Sequence, residues 1–389
     1  MLSRREFIKL ATLFSAGGAL PLLQACSERS ALQPNAPLRI GYLPITDATP
    51  LLVAHGQGFF AEAGIEVQQP VLFRSWAQLI EAFLSGQVNL IHLLSPMTVW
   101  ARYGSRAPVK TVMFNHLAGS ALTVLPEIDS VRALGGKTVA IPFWYSIHNI
   151  VLQYLLRANG LSVTEAAPQA NEVQLLVMPP SDMVAALAAK TIAGFIVAEP
   201  FNAAAENAGV GKVLRFSADV WRDHACCVSL MHEHDIQQRP EWVQSIVTAL
   251  VKAQLWSNQN RLETAELLSK NGANRYTPHE TAVLTRVLAP EKTAWQQYIA
   301  TGAIRHPEWQ QERIDFQPYP FASYAEKMIE LLKTTHIAGD NAFLHGLHPQ
   351  QAAAELVDDR FVRTALQQLN AREAFRLPES LSRIETLAA

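Results

Sequence analysis

An α/β protein of two similar lobes is what this sequence predicts, and three observations predict it. Residues 38–100 read strand, helix, strand, helix, strand, with hydroxyls, an acid and a tryptophan where the strands end. Residues 128–207 repeat that arrangement, again with a polar cluster after each strand. The chain has 389 residues, 49% of them hydrophobic, which is long enough for two lobes of about 100–200 residues each.

Leu38–Leu43 is a short run of strand formers that Pro44 stops. Ile45-Thr46-Asp47 supplies polar groups, and Thr49-Pro50 opens a helix with proline in its first turn. Leu51–Ala54 bury that helix and Gly56–Phe59 end it. Strand Ile65–Val71, helix Trp76–Leu84 and strand Val88–Leu94 follow, closing at Ser95-Pro96-Met97. In an open α/β sheet, ligands sit beyond the carboxyl ends of the strands, where helix N-termini also point. Thr46, Asp47, Trp76 and Ser95 therefore share one rim. A helix over Thr98–Tyr103 stops at Gly104, Val109–Asn115 is a strand, and His116–Ser120 is a polar bend before strand Ala121–Leu125. The first hinge is placed at 116–121.

Lobe two opens with helix Ile128–Leu134 and strand Lys137–Ile141. Loop Pro142–Asn149 and helix Ile150–Asn159 follow. Strand Val173–Met178, helix Met183–Ala189 and strand Ala193–Ala198 come next, then Glu199-Pro200-Phe201-Asn202 and a helix to Asn207. Lys212–Phe216 is read as the return to lobe one, with a second hinge over 212–224. Trp242–Trp256 carries a broad apolar helical stripe. Helices at about 261–270, 278–289, 321–334 and 360–371 are expected on the outside of lobe one. The expected organisation is 38–118 for lobe one, 119–212 for lobe two, and 213–389 for the return with a C-terminal helical extension.

The N-terminus reads as an address. Ser3-Arg4-Arg5-Glu6-Phe7-Ile8-Lys9 matches a twin-arginine export pattern, and an apolar stretch too short to span a membrane runs from Leu10 to Leu23. Leu23-Gln24-Ala25-Cys26 resembles a lipoprotein cleavage box, with Gln24 unusual inside it. Residues 1–26 then form a signal peptide, Cys26 carries lipid, and polar residues 27–37 form a tether; simple cleavage is the alternative. Such a chain is anchored to a membrane face in the periplasm without spanning it. A formal charge of −2 gives no footprint for nucleic acid, and a monomer is expected.

Three cysteines are present. With Cys26 lipidated, the adjacent Cys226 and Cys227 remain and are read as two small buried thiols, a soft-metal or redox role being the alternative. No Cys-x-x-Cys or His-x-x-x-His occurs, so no zinc site and no cofactor are read.

The run GYLPITDATPLLVAHGQGFFAEAGIEV, followed by Ser75-Trp76-Ala77 and His92–Met97, resembles the opening of periplasmic binding proteins of the nitrate/bicarbonate type. These are type II two-lobed receptors within the broader NMT1-like group serving ABC importers of nitrate, sulfonates and taurine. The resemblance implies a solute-binding receptor that closes by hinge motion and delivers its ligand to a permease and its ATPase, without catalysis.

It also implies site residues. Trp76 would offer an indole N–H and a flat wall, its alternative being a core tryptophan. Ser146-Ile147-His148-Asn149 is similar to a segment whose histidine touches ligand, the alternative being a satisfied loop histidine. Glu199-Pro200-Phe201-Asn202 is similar to Glu-Pro-Trp-Asn, and Glu199 is left open between holding a cation, latching the hinge and capping the next helix. Two positions depart from the nitrate-binding pattern: Ser120 stands near its glutamine and Cys227 at its lysine. Burying an anion without a compensating cation is costly, so nitrate is disfavoured in favour of a sulfonate or small nitrogen compound. An enzyme similar to thiamine-pyrimidine synthases, or a ligand-sensing subunit, is the alternative function.

Overall fold

Short apolar strands, each leading into a helix, assemble into two sheets in the computed structural model, which describes residues 36–309 and 312–389. The signal-peptide, lipidation and most of the tether expectations lie outside the described residues. Lobe one begins with β1 (Ile40–Tyr42), α1 (Thr49–Gly56), α2 (Phe59–Glu62), β2 (Val71–Leu72), α3 (Trp76–Leu84), β3 (Leu90–Leu94), α4 (Ser95–Val99) and β4 (Val109–Phe114). Pro50 stands in the first turn of α1, where its missing N–H costs nothing. Ser75 caps α3 by accepting from the Gln78 N–H at 3.3 Å. The helix lies so close to β1 that a Cβ on Gly41 would fall 2.7 Å from Leu79 Cδ1, so a larger residue there requires the Leu79 side chain to shift.

The chain then crosses through β5 (Leu117–Ala118) into β6 (Ser120–Val124). Lobe two continues with β7 (Lys137–Ile141), α5 (Ile147–Ala158), β8 (Ser162–Thr164), β9 (Glu172–Val177), α6 (Pro180–Ala188), β10 (Gly194–Ala198), α7 (Phe201–Asn207) and β11 (Lys212–Phe216). The second sheet has the order β11-β6-β10-β7-β9-β8. The chain returns to lobe one as β12 (Cys227–His232), antiparallel between β3 and β4, completing the order β2-β1-β3-β12-β4.

The C-terminal part comprises α8 (Glu233–Gln238), α9 (Pro240–Gln259), α10 (Arg261–Leu268), α11 (Thr281–Leu288), α12 (Lys292–Ala300), β13 (Ile314–Asp315), α13 (Ala322–Leu332), α14 (Pro349–Leu356) and α15 (Arg360–Gln368). Helix α9 packs on α1, α15 on α9, and β13 pairs with β5 at the crossing. None of the described helices is long and apolar enough to cross a membrane.

The structure corrects several boundaries. Of the expected strand 65–71, only its last residue enters β2; Val67 makes one isolated bridge to Leu38 before Pro70, which has no N–H to donate. Helix α5 starts three residues early, because Ser146 caps it and draws His148 and Asn149 into its first turn. Strand 212–216 is not the return. It pairs antiparallel with β6 in the second sheet, so lobe two extends to 216 and the crossing runs over 217–226. Nor is the C-terminal extension confined to lobe one. Tyr298, Ala303 and Ile304 pack on Ala121, Val213 and Phe216 of the second sheet, and the His336 carbonyl accepts from Asn149 and Gln153 of α5 at 3.1 and 2.9 Å.

Gln254 of α9 pins the approach to the first crossing. Its buried amide donates to the Phe114 and Asn115 carbonyls at 2.9 and 2.7 Å. Gln254→Leu leaves both carbonyls unpaired, and denaturant titration should record a loss of roughly 2–4 kcal/mol.

Candidate functional site

The carboxyl ends of β1, β3 and β4 and the start of β12 meet at one rim of lobe one, and lobe two closes over it. Thr46 makes that contact directly. Its N–H and hydroxyl both donate to the Glu199 carbonyl, at 2.9 and 3.1 Å. The Glu199 N–H donates in turn to the Gly119 carbonyl at 2.8 Å. The Glu199 side chain is fully buried, with Oε1 at 2.6 Å from Arg313 Nε and Oε2 accepting the Ala203 N–H at 3.2 Å. It therefore both latches a segment from the C-terminal part and caps α7.

Beneath this closure lies a buried polar group. Asp47 and His116 are wholly enclosed, with His116 Nε2 at 2.9 Å from Asp47 Oδ2. The same nitrogen lies 3.3 Å from the Cys227 N. One nitrogen cannot both donate and accept, and the shorter contact to a carboxylate fixes it as a donor to Asp47. Burial pushes the Asp47 carboxyl up to about 6 against the pull of His116. For His116, burial pulls down but the Asp47 charge and hydrogen bond outweigh it and raise the imidazole to about 10.

Cys226 and Cys227 stand beside this pair. Cys226 lies in a bend before β12, so the vicinal side chains escape the strict alternation of a strand and both reach Asp47 and His116. Donor atoms of all four residues lie within 4.8 Å of one another. Burial raises the Cys226 thiol, but the hydrogen bond from Cys227, the charge of His148 and bonds from His116 and His148 hold it well below the ordinary thiol range. Burial together with Cys226 pushes Cys227 well above it. From lobe two, His148 Nε2 meets Ser120 Oγ at 2.9 Å and Cys226 Sγ at 3.8 Å.

Trp76 is buried with its ring 5.4 Å from that of His92. His92 Nε2 accepts the Leu43 N–H at 2.9 Å, and burial with the nearby His116 lowers it to about 3. His224 Nε2 meets Ser217 Oγ at 2.8 Å. Trp76 Nε1, and Nδ1 of His92, His148 and His224, are buried without a hydrogen-bond partner among the described residues. Buried polar atoms are normally paired, and the three histidines among these residues all interact electrostatically with Cys226.

The expected residues thus divide. Asp47, Trp76, Ser120, His148 and Cys227 gather around the cleft. Thr46 and Glu199 hold the lobes together. Ser95 is spent on the fold, its hydroxyl donating to the Ala225 carbonyl at 3.0 Å and meeting the Tyr324 hydroxyl at 2.7 Å. Ser146 donates to the Phe143 carbonyl at 2.7 Å and accepts the Asn149 N–H at 3.1 Å as the cap of α5. Sequence reasoning passed over His92, His116 and His224. Only the placing of His116 in the polar crossing carried a signal.

A family model described as the NMT1-like family matches residues 31–270. The chain is 26% identical over 277 residues to the nitrate/nitrite binding protein NrtA of Nostoc sp., covering 65% of this chain and 62% of that one. It is 28% identical over 252 residues to the bicarbonate transport ATP-binding protein CmpC of Synechococcus elongatus, covering 60% and 37% respectively. The chain thus spans less than two thirds of either relative. Among solved structures, the periplasmic nitrate-binding protein NrtA from Synechocystis matches with a TM-score of 0.71 at 20% identity, over 90% of this chain and 93% of that one. That likeness shows the two-lobed fold of periplasmic binding proteins.

Two outcomes follow from this geometry. Arg313→Met strands the buried Glu199 carboxylate and should cost about 3–5 kcal/mol in denaturant unfolding. His92 stays neutral when folded, whereas the unfolded chain takes up a proton below about 6.5, so its contribution to stability drains away as pH falls from there towards 3. His92→Gln, whose amide oxygen can still accept from Leu43, should show a smaller fall in melting temperature between pH 6.5 and 4.

Proposed function

The chain belongs to the NMT1-like family, and from that premise we propose that it is the solute-binding receptor of an ABC importer, trapping a small ligand between its lobes. The observation that carries this reading is the set of buried nitrogens, supplied by both lobes, that have no hydrogen-bond partner among the described residues. Trp76 and His92 come from lobe one, and His148 from lobe two. A ligand meeting both lobes binds the closed form better than the open one and so drives closure. The reading needs no covalent step, and its partners are a permease and an ATPase; similarity to the binding protein NrtA and the transport ATP-binding protein CmpC supports that assignment. Cys227, where the nitrate-binding pattern has lysine, weighs against nitrate.

The location we propose is the periplasm, reached by twin-arginine export and held by lipid on Cys26, with Arg4-Arg5 and Ala25-Cys26 as its support. The receptor acts as a monomer.

Thermal shift and small-angle scattering on the whole chain test the receptor reading. A true ligand at a hundredfold over its Kd adds about 2.7 kcal/mol of stability and keeps the molecule compact, and Trp76→Ala with His148→Ala removes the effect. No shift from any small solute rejects the reading. Replacing Arg4 and Arg5 by lysine should leave the chain in the cytoplasm, as fractionation would report; unchanged export would rule out the twin-arginine route.

A further inference from the structure

The four residues at the heart of the cleft are an unusual set for holding a molecule. Asp47 comes from the turn after β1, His116 from the end of β4, and Cys226 and Cys227 from the entry to β12. All four are buried, and one donor atom of each lies within 4.8 Å of the other three. An oxyanion cradled by four groups holds them much farther apart, because its own atoms and four hydrogen bonds of about 2.8 Å lie between. A single atom fits. Tetrahedral zinc, with bonds of about 2.3 Å to sulfur and 2.0–2.2 Å to nitrogen and oxygen, sets its donors about 3.3–3.8 Å apart. Small side-chain adjustments bring this cluster there, parting the Asp47–His116 contact of 2.9 Å as the ion takes its place between them.

We propose that Asp47, His116, Cys226 and Cys227 bind a thiophilic metal ion of the zinc or copper(I) class, and that this ion is the solute the cleft captures. The second half rests on the receptor reading above. Two sulfurs, one imidazole and one carboxylate form a soft-to-borderline donor set, unsuited to calcium or magnesium, which take oxygen ligands. The pair also persists as thiols. Neighbouring Cα atoms are about 3.8 Å apart, short of the roughly 4.4–6.8 Å that a relaxed disulfide spans, and neither cysteine is in a disulfide among the described residues.

The placement suits a cargo. All four donors belong to the lobe-one rim and its crossings, so an ion can load while the lobes are apart. Lobe two then seals it, with His148 at 3.8 Å from Cys226 Sγ and Glu199 accepting from Thr46. His148 acts here as a positioning residue against the thiolate rather than as a fifth ligand.

The test uses the whole chain, stripped by chelator and kept anaerobic and reduced, and titrated with Co²⁺, Zn²⁺ and Cu(I). One ion per chain is expected, with an intense thiolate-to-cobalt charge-transfer band that Zn²⁺ or Cu(I) displaces, and compaction in solution scattering. Cys227→Ser and Asp47→Asn should each weaken binding by about 100-fold or more, beyond the 10–100-fold cost of losing an outer-shell partner. The cobalt band of the native chain needs no variant, so a misfolded mutant does not blunt the test. Cobalt binding without that band, or unchanged in Cys226→Ser and Cys227→Ser, overturns the site. Binding without compaction overturns the cargo role. No metal bound, with taurine, an alkanesulfonate or bicarbonate raising the melting temperature instead, overturns the metal and leaves the receptor standing. No response to either class removes both.

Discussion

Glu199 is the group on which the closed arrangement of this molecule depends. Its carbonyl holds Thr46 of lobe one, its N–H holds Gly119 of the first crossing, and its carboxylate holds Arg313 and the start of α7. Three parts of the chain remote in sequence thus meet at one residue. Arg313 carries the network outward to Glu206 and the Tyr298 hydroxyl, at 3.1 and 2.8 Å. A buried ion pair rarely adds net stability over an apolar replacement, but breaking one side of it is expensive. The arrangement therefore fixes geometry more than it adds energy. The crossing it grips is itself sharply turned, with Ala118 and Gly119 in succession at φ of 61° and 78°.

What each rim residue is free to do follows from what its neighbours have already taken. Ser95 and Ser146 have the chemistry of ligand contacts, yet nearby carbonyls and helix N–H groups satisfy them. Trp76, His92 and His148 each keep a nitrogen that the protein leaves unpaired. The distinction lies in hydrogen-bond saturation and not in residue type, so only the folded chain reveals it.

That is also why the sequence was legible in parts. Helix Trp76–Leu84 and strand Lys137–Ile141 have the bounds that local pattern predicts, because a serine cap, an apolar period and a glycine stop act within a few residues. The rim was legible for the same reason: strand ends are local. His116, His92 and Arg313 were not, since each gains its role from a partner 49 or more residues away. Strand β11 was misplaced because a short apolar run looks the same in either sheet. Only its pairing with β6, far earlier in the chain, assigns it.

The insertion of β12 between β3 and β4 has a consequence for how the chain reaches this state. The sheet of lobe two is drawn from one continuous stretch, 120–216, and all its strands are present as soon as that stretch exists. The sheet of lobe one has a gap at its centre until residue 232 arrives. Contacts closed over so long a loop form slowly, and β3 and β4 meanwhile present unpaired edges, the kind of surface that invites wrong partners. The sheet that the chain begins second is therefore the first whose strands are all present.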